Sequence, residues 1–210
     1  MTGSARRAAG PAITMSGAGP TTVLRPAGIT LLLGFAVAAR WAATVAALAD
    51  GIVVGAAFGG LLAVGAVLSG WRPSRPRGRR LGPEAAAGLA GGTALLALAL
   101  ATRWPGPWLP FNPAPSFVPW AVVTILVATA EEVVLRGALF GALVDGAGWV
   151  AALVGTSILF AVLHVPLYGW HVVPLDLGVG LLLGGLRLLT GGTIAPSVAH
   201  VFADLATWWI

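Results

Sequence analysis

Between residues 117 and 144 the chain carries only three charged side chains, Glu131, Glu132 and Arg136, and all three fall within six residues. A charged side chain near the centre of a bilayer costs several kcal/mol, so it normally faces a protein interior or a cavity. A run this long and apolar therefore predicts a membrane-embedded helix with one inward-looking charged stripe.

Helical spacing separates the three groups. Residues four apart on an α-helix lie nearly one above the other, whereas neighbours point about 100° apart. Glu132 and Arg136 are four apart, with the acid on the N-terminal side, the better orientation for an ion pair. Glu131 is offset from that pair, so its carboxylate can face elsewhere. The reading favoured is an internal Glu132–Arg136 salt bridge with Glu131 as the working group. The spacing is equally compatible with three charges that tie helices together.

The rest of the composition agrees with a membrane environment. Only 9% of residues are Asp, Glu, Lys or Arg and 58% are hydrophobic, against about 25% charged residues in a soluble domain. The fold expected is an all-α, polytopic transmembrane bundle of about seven helices. No cysteine is present, which excludes disulfides, thiolate catalysis and cysteine-ligated metal. The net charge of +5 comes entirely from arginine. These arginines cluster at the edges of apolar runs, where they set membrane topology, and a nucleic-acid partner is not indicated.

Along the chain, residues 1–27 read as a flexible cytoplasmic tail. Residues 28–116 read as N-terminal transmembrane helices and a Pro-rich loop, and residues 117–210 as a catalytic core of helices. The first span is expected over 28–49, with Arg40 either snorkelling, the favoured reading, or turned inward to a carboxylate. Asp50 and Gly51 make a turn, and 52–69 cross back. Gly51, Gly55 and Gly59 recur at intervals of four, which suits close helix approach. A basic loop over 72–80 follows, then a third span over 85–101. Five prolines between residues 102 and 116 stop helix continuation and predict an external loop. The fourth helix is expected over 117–144, a turn at 145–148, and the fifth helix over 150–165. A shorter sixth segment over 172–189, read as spanning or re-entrant, precedes a final span over 193–210. The arginines place the N-terminus in the cytoplasm and the C-terminus outside, in a multi-pass protein of the cell membrane. Trp104, Trp108, Trp120, Trp170, Trp208 and Trp209 then fall near outer helix ends.

The other intramembrane polar residues come as pairs four apart, Phe160 with His164 and His200 with Asp204. A lone histidine on an apolar helix is most often a satisfied structural donor, and a His–Asp pair is often a packing bond. Five of the acidic and histidine residues, however, fall deep within predicted spans of one section and can converge in one interior. A glutamate and a histidine that reach one water can share its proton and create a nucleophile for a carbonyl. A second histidine can donate to the oxyanion that forms. Glu131, His164, His200 and Asp204 are also acceptable ligands for a divalent metal such as Zn²⁺, which would activate a bound water.

The three motifs, Glu131-Glu132-Val-Val-Leu-Arg136, Phe160-Ala-Val-Leu-His164 and His200-Val-Phe-Ala-Asp204, resemble the EExxxR, FxxxH and HxxxN/D series of the CPBP family. These are the CAAX-protease and bacteriocin-processing intramembrane endopeptidases, including Rce1-like and Abi proteins. The resemblance covers roughly residue 117 to the C-terminus. It implies that Glu131 and His164 activate the attacking water and that His200 and Asp204 stabilise the oxyanion. It further implies that Arg136 holds Glu132, with Phe160 supporting the site. The implied substrate is a membrane-associated peptide or protein, prenylated or not, and the implied mechanism is either glutamate-based or metal-dependent. The final motif ends here in aspartate, and an ionised aspartate cannot donate a hydrogen bond as asparagine can. Asp204 must then orient a protonated His200, be protonated itself, or bind metal.

Other intramembrane protease chemistries fit less well, since the sequence has no HExxH, no Gly-x-Ser-Gly elbow and no paired intramembrane aspartates. The competing reading is a non-proteolytic membrane protein of the same fold, with a bacteriocin self-immunity, chaperone-like or transport role.

Overall fold

The computed structural model describes residues 21–73, 81–102 and 116–209, and among these every regular element is helical. In chain order they are α1 (Thr21–Val45), α2 (Gly51–Leu68), α3 (Leu81–Thr102) and α4 (Phe117–Glu132). A π-helical stretch (Val133–Leu139) leads into α5 (Phe140–Tyr168), a 3₁₀ turn (Trp170–Val172), α6 (Val173–Thr190) and α7 (Ile194–Ala206). The basic loop and the Pro-rich loop expected from the sequence lie largely outside the described residues, as does most of the expected tail.

The chain is an all-α polytopic transmembrane bundle. Five helices among the described residues are long and apolar enough to cross a membrane, with Phe117–Tyr168 counted as one. At 1.5 Å per residue, the 52 residues of that stretch would extend about 78 Å, more than twice a ~30 Å hydrocarbon core. Gly148 divides it, with φ 86° and ψ 171°, a conformation open to glycine because a Cβ would clash there. The break falls where the sequence predicts a turn. Each crossing also leaves large apolar side chains outward, among them Leu31, Val67, Val118 and Leu189. A surface of that kind suits lipid and would be a liability in water.

Several boundaries differ from the sequence reading. α1 begins at Thr21 rather than after a tail ending at 27, with Pro26 inside the helix. Pro26 is the sixth residue of α1, just past the first turn, so it removes one i→i−4 hydrogen bond close to the helix start. The final helix stops at Ala206 and spans 13 residues, about 20 Å, so it is shorter than the membrane crossing expected over 193–210. Beyond it Trp208 and Trp209 turn back onto the start of α4. Trp208 lies 4.9 Å from Trp120 and Trp209 lies 5.1 Å from Phe117, ring centre to ring centre. Among the described residues Arg40 forms no ion pair with a carboxylate, and its guanidinium lies 4.7 Å from the centre of the Phe58 ring on α2. Snorkelling, the favoured expectation, is therefore replaced by a cation–π contact.

Helices approach through small residues, as expected where lipid removes any hydrophobic drive to associate. On α2, Gly55 faces Val123 and Gly59 faces Leu126, while Gly51 meets nothing. On α5 and α6, Gly180 lies against the backbone of Ser157. The hydroxyls there are satisfied within α5, Thr156 donating to Ala152 O at 2.7 Å and Ser157 to Leu153 O at 2.7 Å. α3 packs along α7 through Gly88, Gly91 and Gly92, and thereby fixes the helix that carries His200.

A methyl group at Gly88 would sit 2.6 Å from the main-chain oxygen of Ala195. Gly88→Ala is expected to lower the melting temperature in detergent, with an overpacking cost of about 1–3 kcal/mol. Gly60→Ala, where nothing lies within 4 Å, is expected to hold or raise it. Equal melting of the two variants would contradict the close α3–α7 approach.

Candidate active site

Arg136 is fully buried, as is Glu132, and the two face each other because they are one helical turn apart. Arg136 Nη1 donates to Glu132 Oε1 at 2.8 Å. Its Nη2 donates to the main-chain oxygen of Gly180 on α6 at 3.1 Å. The guanidinium also lies over the Phe160 ring of α5, 4.7 Å from its centre. One side chain therefore links α4, the π stretch, α5 and α6. The main-chain oxygen of Arg136 in turn accepts from Arg187 Nε at 2.8 Å. The sequence did not reveal this π-helical stretch, and such stretches are often found at functional sites.

α7 joins through His200. A carboxylate can only accept, so His200 Nδ1 carries the hydrogen and donates to Glu132 Oε1 at 3.1 Å. The other ring nitrogen, Nε2, lies 3.5 Å from Asp204 Oδ2 and 3.9 Å from Glu131 Oε2. Both distances exceed a direct hydrogen bond of about 2.9 Å. Three carboxylates thus surround one imidazole. They differ sharply in exposure: the side chain of Glu132 is 0% exposed, that of Glu131 10% and that of Asp204 43%. The cluster opens on the Asp204 side.

His164 occupies a separate edge of the same cluster. Its Nδ1 donates to the main-chain oxygen of Phe160 at 2.8 Å, which leaves Nε2 as the nitrogen not committed to the backbone. Its acidic neighbour is Asp176 on α6, with Oδ2 3.5 Å from Nδ1. Among the described residues His164 forms no ion pair with Glu131 or Glu132. It is tied to the cluster through Phe160, whose ring meets the imidazoles of His164 and His200 edge-on at 4.7 and 5.3 Å. Tyr168, a further turn along α5, lies 5.8 Å from the His164 ring. His171 is exposed and stands apart.

The seven residues singled out in the sequence, Glu131, Glu132, Arg136, Phe160, His164, His200 and Asp204, therefore gather at one place on four helical elements. Asp176, Gly180 and Tyr168 were not anticipated as members. Asp176 had a signal, since it is the one acidic residue in the sixth apolar segment and lies four before Gly180. Gly180 contributes a main-chain atom, which side-chain chemistry cannot announce.

A divalent metal ion was one expectation for these side chains. Among the described residues no three His, Asp or Glu side chains are disposed to hold one. Residues 113–206 match the family model described as Rce1-like, type II CAAX prenyl endopeptidase. No curated protein and no solved structure matches the chain.

Removing Arg136 would leave Glu132 buried beside a histidine with its main cation gone. Breaking a buried pair from one side costs about 3–5 kcal/mol. Arg136→Ala is accordingly expected to deplete the protein from membranes, not only its activity. Wild-type yield and melting of that variant would remove the structural role assigned to the pair.

Proposed function

From the match of residues 113–206 to the Rce1-like model of type II CAAX prenyl endopeptidases, we propose that this chain belongs to that family and is an intramembrane endopeptidase acting on membrane-associated proteins. The observation that carries the reading is the buried meeting of Glu131 with His200 Nε2 at 3.9 Å. A scissile carbonyl oxygen seated about 2.8 Å from Nε2, a normal hydrogen-bond length, would bring its carbon beside the Glu131 carboxylate.

In the proposed reaction Glu131 and His164 hold the attacking water. Glu131 takes one proton as the water oxygen adds to the scissile carbonyl carbon. The carbonyl electron pair moves to oxygen, and the oxyanion is met by the N–H of His200 Nε2. Asp204, an acceptor when ionised, serves by facing the protonated ring rather than by donating itself. Collapse breaks the C–N bond, and Glu131 returns its proton to the leaving amine. The remaining O–H proton of the new carboxylic acid passes to His164, leaving a carboxylate product. Glu132, Arg136 and Phe160 support the site without touching the reacting atoms.

The arginine distribution supports an N-terminus on the cytoplasmic face. Substrates with a prenylated C-terminal segment are one class that the family description suggests, and unmodified membrane peptides are a second.

Glu131→Gln keeps the shape of the side chain and removes the base. Its kcat is expected to fall by about 10²–10⁴-fold, the usual contribution of general acid–base catalysis, with unchanged protein in the membrane. Membrane-peptide profiles of cells with wild type and Glu131→Gln provide the readout, and normal turnover by the variant would leave only a non-proteolytic bundle. The proposed steps use no metal ion, so chelator titration is expected to leave activity intact. Loss of activity on chelation, restored by stoichiometric Zn²⁺ in elemental analysis, would replace this mechanism with a metal-dependent one.

A further inference from the structure

We propose that Asp176 is a positioning residue for His164, its carboxylate facing the Nδ1 side of the imidazole that the Phe160 carbonyl orients and stabilising the ring's charge when it takes a proton. The proposal rests on the hydrolytic reading above and adds a residue outside the three sequence motifs.

Three observations carry it. First, Asp176 lies within an apolar segment, Trp170–Thr190, that is long enough to cross a membrane. A carboxylate there is costly unless it faces a partner. Second, that partner is His164. Asp176 Oδ2 lies 3.5 Å from Nδ1, and the two side chains are similarly enclosed, at 18% and 19% exposure. His200 and Asp204 on α7 and Glu131 on α4 lie within electrostatic range of Asp176 but form no ion pair with it among the described residues. Third, Asp176 and Gly180 are four apart, so α6 presents both on one face. The Gly180 carbonyl accepts from Arg136 one turn from the Asp176–His164 contact. The same helix thus grips the site at two points, and the position of Asp176 is fixed by the packing of Gly180 on Ser157.

The chemistry follows from which nitrogen is committed. Nδ1–H is bound to the Phe160 carbonyl, so Nε2 has the lone pair that can hold and then receive a proton. When the O–H bond of the nascent carboxylic acid breaks, its proton goes to Nε2 and the electron pair stays on the carboxylate product. The ring becomes a cation, and the nearest carboxylate to it is Asp176. Nothing is oxidised or reduced, and the proton leaves later to the amine product or to water.

The competing explanation is that Asp176, in the first turn of α6, merely complements the helix dipole. That role affects stability and not turnover by folded protein. The test measures kcat, KM and melting temperature for Asp176→Asn and Asp176→Glu beside Glu131→Gln. Asp176→Asn is expected to lose about tenfold or more in kcat, part of the contribution of a histidine acid–base group, with KM within about twofold. Asp176→Glu, which restores the charge, is expected to recover most of the loss. If Asp176→Asn fails to accumulate, Asp176→Ser, smaller and equally uncharged, gives the same readout. Wild-type kcat in the uncharged variants, whatever their melting temperature, overturns the role of Asp176 while an inactive Glu131→Gln leaves the hydrolytic reading standing. An active Glu131→Gln overturns that reading itself.

Discussion

A single buried ion pair sets where four helical elements can stand. Arg136 and Glu132 are both withdrawn from solvent, and neither charge is tolerable there without the other. The guanidinium is a planar fork with several donors at fixed angles. Having committed one arm to Glu132, it can use the other only for an acceptor in a particular direction, and that acceptor is the Gly180 carbonyl. The second side of the carboxylate contact is His200. The electrostatic demand of one helix is thus met by a backbone atom of α6 and a ring of α7. Those helices cannot shift without exposing a charge to lipid.

Phe160 shows why one motif needs an aromatic residue. Its ring receives the Arg136 guanidinium over its face and two imidazoles at T-shaped angles. A π-system has a negative face and a positive edge, so it can contact a cation and polar rings in the same small volume. An aliphatic side chain would fill the space but offer no attraction to the guanidinium. Phe160 is therefore a spacer that keeps the two histidines in one cluster without letting them bond each other.

Much of this was legible before any coordinates, for a specific reason. Glu132–Arg136, Phe160–His164 and His200–Asp204 are pairs within single helices, and a spacing of four reports such pairs directly. Gly55 and Gly59 on α2 were visible on the same rule. Spacing says nothing about contacts between helices, so the bond from His200 to Glu132 and the approach of Asp176 to His164 were out of reach. The tight seam of Gly88, Gly91 and Gly92 on α7 was hidden in a span whose small residues could be read only as composition. Boundaries were the weakest part. Pro26 fell within the expected tail, although it lies inside α1. The apolar residues after Ala206 read as helix, although the bulk of Trp208 and Trp209 folds back onto α4. The π stretch left no mark, because Val133 to Leu139 are ordinary helix residues in an ordinary apolar run.

The graded exposure of three carboxylates around His200 separates their roles on physical grounds. Glu132, fully buried, is matched by an arginine. Asp204, 43% exposed, can be stabilised by solvent at the mouth of the cluster and needs no such partner. Glu131 lies between them, 10% exposed, and is without an arginine ion pair among the described residues. A carboxylate in that position is within reach of the opening and has no arginine to displace before it accepts from a water. That is the property a general base requires, and it follows from where the three carboxylates sit along one path from the protein interior to the opening.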